Sequence, residues 1–192
     1  MTKEGVNIYY NTEGKKRLLI LSDLWGLKNA GWLSNYITPL QQFYEVLLYD
    51  SRQLASLNIT DESENSIHQN FVNGGIDKAV ESLLQTETKT VRILAFSVGG
   101  TIAWKYALAS GNVDRLVCVS STRLRHEKLR PAGEVTLCYG QADPFKPTDQ
   151  WFNAMKLESF LMDGMGHELY KDEGVAGLVA NQFIHSSQHH NT

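Results

Sequence analysis

The apolar run Val91–Phe96 ends in Ser97, which is followed by Val98, Gly99, Gly100 and a segment of helical character from Thr101 to Ala109. A strand that turns into a helix within one residue brings two backbones together, so only small side chains fit around the corner. The corner residue is held in a sharp, strained turn with its side chain thrust out at the top of a sheet. This segment therefore demands an α/β arrangement and makes Ser97 a candidate nucleophile. The pattern departs from G-x-S-x-G at its first position, where Ala95 adds one methyl that fits if the neighbouring strands leave room. Taken alone, the segment also suits an ordinary strand-to-helix turn with Ser97 as a helix N-cap.

The rest of the chain supplies the context. Val6–Tyr10 has the character of an edge strand, and Arg17–Ser22 is a continuous apolar run of the buried parallel type. A loop over 23–31 precedes a helix expected over 32–42, and Val46–Tyr49 is the next strand. The polar stretch 51–65 reads as a mobile surface loop. A long helix is expected over 68–85, with Phe71, Ile76, Ala79, Val80, Leu83 and Leu84 facing inward. Leu116–Ser120 and Val135–Tyr139 are further strands. A helix over 148–155, a short strand over 157–162 and a final helix over 172–186 complete the chain. Strands alternating with helices predict a three-layer α/β/α sandwich around a mostly parallel sheet. In such sheets the functional crevice lies at the carboxyl ends of the strands.

At 192 residues the chain suits one domain, 1–192, with a well-buried core. A net charge of −3 points to no nucleic-acid or membrane-surface partner. No apolar run approaches the roughly 18 residues of a membrane span, and the N-terminal residues carry no secretory apolar core. Both readings point to a cytoplasmic protein. Cys118 and Cys138 sit inside strand-like runs and read as buried thiols rather than a disulfide or metal site.

A serine hydroxyl needs a base to take its proton and a carboxylate to orient that base. Asp143 lies in the turn Gly140–Phe145 that follows a strand, and His167 lies in the glycine-bracketed loop Asp163–Glu168 after the last strand. Asp163 is a competing acid. The remaining histidines are weaker candidates by position: His68 begins a helix, His126 lies in a basic segment, and His185, His189 and His190 are terminal. Acyl transfer also needs donors for the developing oxyanion. The amide of Val98 is one, and the loop Ser22–Leu27 supplies the other through Trp25, with Leu24 as the alternative.

These marks resemble the α/β-hydrolase superfamily over nearly the whole chain: the Ala95–Gly99 elbow, the Asp143 turn, the His167 loop, the Asp23–Gly26 loop, and Asp50-Ser51-Arg52, which looks like the Asp-x-Arg of many members. The acid and base follow Ser97 in the superfamily's order. The resemblance implies an eight-strand-type sheet and hydrolysis of an ester, thioester or amide by Ser97, His167 and Asp143, without metal or organic cofactor. Asp23–Leu27 is also similar to the corresponding loop of dienelactone hydrolases, whose nucleophile is cysteine. Trp25-Gly26-Leu27 is similar to the His-Gly-Trp-Gly-Leu loop of carboxylesterases that demethylate pimeloyl–carrier esters, although Asp23-Leu24 stands where they have His-Gly.

Many relatives insert a helical lid where this chain has only 121–134. The expectation is therefore an open site without a cap domain, with a substrate pocket bounded by Leu24, Trp25 and Phe145. Arg123, Arg125, Lys128 and Arg130 on that short segment fit either a solvated charged loop or a cluster attracting an anionic substrate or an acidic carrier protein. The sequence thus predicts a carboxylesterase-like serine hydrolase acting on a small acyl ester. A thioesterase or carrier-ester hydrolase, and a non-catalytic binding module on the same fold, are the alternatives.

Overall fold

A computed structural model describes residues 14–186. Six strands form one sheet: β1 (Lys16–Leu21), β2 (Tyr44–Tyr49), β3 (Val91–Phe96), β4 (Val113–Val119), β5 (Glu134–Gly140) and β6 (Ser159–Met162). Their order is β2-β1-β3-β4-β5-β6, and every neighbouring pair is parallel. The eight strands implied by the superfamily resemblance are thus six among the described residues, and the strand expected at Val6–Tyr10 lies outside them.

Among the described residues seven α-helices cover the sheet: α1 (Ser34–Leu40), α2 (Ser51–Leu54), α3 (Glu64–Asn70), α4 (Ile76–Thr86), α5 (Val98–Ser110), α6 (Asp149–Met155) and α7 (Glu173–Ser186). Because strand side chains alternate, each apolar run serves two cores. Leu19, Leu21, Ile93, Ala95, Leu116 and Cys118 pack under α4, α5 and α6. Leu18, Ile20, Leu94, Phe96, Val117 and Val119 pack under α1 and α7. This is the physical reason the strands read as continuous rather than alternating apolar runs, and it gives the three-layer sandwich. Both cysteines are buried, and burial pushes their thiols up to about 12.

Three expectations are corrected. The stretch 51–65 is not a plain loop: Asp50 accepts hydrogen bonds from the amides of Arg52 and Gln53 and starts α2, and Ser63 caps α3 through the Ser66 amide. The helix expected over 68–85 is broken between α3 and α4, where Asn73 and Gly74 leave helical geometry and Gly74 takes φ 109°. Within α4, Leu84 is exposed whereas Ala79 and Leu83 are buried. The helix expected over 32–42 divides into a 3-10 turn at Gly31–Leu33 and α1.

The chain leaves β1 toward β2 on one side and returns to β3 on the other. The carboxyl ends of β1 and β3 therefore flank a topological switch point, the place where an open α/β sheet leaves a crevice. The loop after β1 and the turn after β3 both open there.

Candidate active site

Ser97 lies between β3 and α5 with φ 51° and ψ −122°, a left-handed conformation that a side-chain-bearing residue adopts at a cost. Its amide is anchored to the Val119 carbonyl at 3.0 Å. The turn closes because Gly99 has no side chain: a Cβ there would sit 2.4 Å from the Ser22 carbonyl oxygen. Ala95, the departure from the usual pattern, is wholly buried, and its methyl fits within the core beneath α5.

The Ser97 hydroxyl lies 3.1 Å from His167 Nε2, and His167 Nδ1 lies 3.0 Å from Asp143 Oδ2. The fold brings three residues from three different strand ends into one hydrogen-bonded line. The turn of Asp143 and the loop of His167 are laced together, since the Ala142 amide donates to the Met165 carbonyl at 3.0 Å and the Gln141 amide to that of Met162 at 2.9 Å. The Asp143 side chain is fully buried. Burial pushes its carboxyl up, but the hydrogen bonds from His167 and from the Phe145 amide outweigh this and hold it below the ordinary value. An ionised, accepting Asp143 places the His167 proton on Nδ1 and leaves Nε2 as an acceptor for the Ser97 hydroxyl. Asp163, the competing acid, is exposed and makes no hydrogen bond to His167.

Phe145 completes this corner. Its amide donates to Asp143 Oδ1 at 2.8 Å, and its ring meets the imidazole of His167 edge-on at 4.9 Å. Arg125 braces it from outside. The guanidinium donates to the Thr122 carbonyl and, at 3.4 Å, to that of Phe145, and it lies 5.8 Å from the Phe145 ring. Arg130 likewise donates to the Lys156 carbonyl. Two members of the basic cluster are therefore engaged with backbone.

The segment 121–134 carries only a 3-10 turn at Leu124–His126. It is tied down by the indole N–H groups of Trp104, to Leu129, and Trp151, to Glu127. No cap domain stands over the site among the described residues. Ser97 is nonetheless only 4% exposed.

The loop after β1 corrects one expectation. The Trp25 amide is already donated to Asp23 Oδ1 at 2.9 Å. The amide of its neighbour Leu24 meets no acceptor among the described residues. The Val98 amide opens α5, where no preceding turn supplies a partner. Asp23 itself is nearly fully buried, with Oδ2 accepting from the Tyr170 hydroxyl at 3.1 Å. Burial raises its carboxyl above the ordinary value, against the opposing hydrogen bonds from Trp25 and Tyr170. Tyr170 was not legible as a site residue; its ring packs against His167, Phe96 and Trp32. The only sequence signal was an aromatic three places after the candidate base.

The Trp25 side chain, 36% exposed, borders two clefts. One, of about 610 Å³, runs from Trp25 past Lys28 to Arg52, Leu57 and Glu62. The other, of about 240 Å³, lies between Asp23, Trp25, Trp32 and Lys171. Leu24, expected to bound the substrate pocket, is buried in the core and lines neither cleft. Among the described residues no group of three or more His, Cys, Asp or Glu side chains converges where it could hold a metal ion, and no helix is long and apolar enough to cross a membrane.

Sheet order, strand-turn-helix corner and the line of Ser97, His167 and Asp143 together define the α/β-hydrolase fold. Solved structures with this fold superpose over most of the chain. A CIB-like hydrolase of Thermoplasma acidophilum is 16% identical, with a TM-score of 0.67, over 90% of this chain and 88% of the other. A serine hydrolase homologue from Coxiella burnetii is 16% identical, with a TM-score of 0.63, over 95% of this chain and 98% of the other. A carboxylesterase structure from Nitrososphaera gargenis is 12% identical, with a TM-score of 0.64, over 93% of both chains. The sequence matches no protein-family model and no curated protein.

Proposed function

We propose that the protein is a serine hydrolase that cleaves carboxylic esters through an acyl-enzyme. The observation that carries this reading is the continuous hydrogen-bonded line from Asp143 through His167 to Ser97 at the switch point of the sheet. The Ser97 oxygen attacks the ester carbonyl carbon while its proton passes to His167 Nε2. Asp143 keeps the imidazole oriented and stabilises the imidazolium. The carbonyl oxygen becomes an oxyanion facing the amides of Val98 and Leu24, two donors that meet no acceptor among the described residues. The tetrahedral adduct collapses, the C–O bond to the alcohol breaks, and the alcohol leaves with the proton from His167. Water then attacks the acyl-enzyme with His167 as base, releasing the acid and restoring the Ser97 hydroxyl.

A fluorophosphonate probe tests the reading directly. Wild type is expected to become labelled at Ser97 and to turn over short p-nitrophenyl esters. Ser97→Ala is expected to lose labelling and about 10⁶-fold in kcat. Folded wild type that takes no label leaves a binding module on this fold. Faster turnover of acyl thioesters than of matched oxygen esters moves the reading to a thioesterase.

A further inference from the structure

The larger cleft ends at a feature that the chemistry at Ser97 does not use. Arg52 Nη2 donates to Glu62 Oε1 at 2.8 Å, and this is the one ion pair the guanidinium makes among the described residues. Both side chains line the cleft, Arg52 only 22% exposed and Glu62 66% exposed, so the cation lies deeper and the anion nearer solvent. Lys28 stands on the same wall without an ion pair among the described residues. The hydrogen bond from Arg52 holds the Glu62 carboxyl below its ordinary value, and the charge of Lys28 acts in the same direction. Arg52 thus holds the carboxylate, and Lys28 stands on the same cleft wall. Asp50, the other acid in the wall, does not compete for Arg52. Its oxygens already accept from the amides of Leu27, Arg52 and Gln53.

The cleft shares Trp25 with the loop after β1. Trp25 is its near wall and follows Leu24, whose amide faces the oxyanion in the reading above. Arg52 follows β2, which pairs with β1, which pairs with β3 and so with Ser97. Two strand spacings separate β3 from β2, about 10 Å across the sheet.

We propose that this cleft takes the part of the substrate beyond the ester and selects esters that carry a free carboxylate at their far end. In the resting protein Glu62 occupies the position of that carboxylate, and the substrate displaces it from Arg52. The planar guanidinium suits a carboxylate through paired N–H donors, and Lys28 adds a point charge. This inference rests on the hydrolase reading of Ser97.

The test compares kcat/KM for monomethyl esters of straight-chain dicarboxylic acids of increasing length with that for neutral methyl esters of matched length. Wild type is expected to prefer the carboxylate esters by about tenfold at the best length, and less in high salt. Arg52→Gln is expected to cut that preference about tenfold, and Arg52→Lys to restore part of it. Glu62→Gln is expected to raise it, by freeing Arg52. Opposite signs for Arg52→Gln and Glu62→Gln separate recognition from a shared folding defect, which thermal unfolding of each variant checks. Equal kcat/KM for the two ester classes in a protein that hydrolyses both overturns the carboxylate subsite and leaves the hydrolase reading standing. Hydrolysis of neither class, together with absence of fluorophosphonate labelling, overturns both.

Discussion

Asp23 and Asp143, both buried beside the candidate site, respond to acid in opposite senses. The folded state lowers the pKa of Asp143, so its contribution to stability is present above the unfolded carboxyl value, about 4, and is lost as pH falls through the lower folded value. The folded state raises the pKa of Asp23. Its contribution is fullest below the unfolded value and is lost as pH rises through the folded one, so at neutral pH the buried charge costs stability. Asp23→Asn keeps an oxygen for the Trp25 amide and a polar group for Tyr170 without the charge. It is expected to raise the unfolding temperature at pH 7, and the gain is expected to shrink as the pH is lowered toward 4 in calorimetric scans. Sequence pattern located Ser97, Asp143 and His167 because each follows a strand in a turn of small residues. It did not reveal that the Trp25 amide is consumed by Asp23, because that depends on the rotamer of a buried side chain.

Elements show the same division. Strands were legible because a buried parallel strand needs an unbroken apolar run, and β1, β3, β4 and β5 lie within a few residues of the expected spans. Helix α6 lies within the span expected for it, 148–155, and is capped by Thr148, which accepts from the Trp151 amide. The break between α3 and α4 was not legible, since glycine is tolerated inside helices and Asn-Gly is the only local hint. At Gly74 φ is 109° and a Cβ would meet nothing within 4 Å. Gly74→Ala therefore isolates backbone strain from packing. It is expected to lower stability by about 1 kcal/mol in urea unfolding without changing the slope.

One sheet serves both cores of the molecule, so loss on one face is felt by the whole. Phe183 of α7 is fully buried on the side of the sheet facing away from α5. Phe183→Ala is expected to cost about 3–5 kcal/mol. Far-ultraviolet and near-ultraviolet circular dichroism are expected to report one coincident, earlier transition. Separate transitions would mean that the two faces fold independently. By itself the sequence determined the layered α/β plan and the placing of Ser97, Asp143 and His167 after successive strands, because burial on both faces and tight turns impose composition on short local segments. Only the tertiary structure decided which strands are neighbours and which acid meets His167. It also decided that the segment expected to leave the site uncovered is tied against α5 and α6, and that Arg52 faces a cleft. Each of these depends on contacts between residues far apart in the chain, whose pairing local composition does not encode.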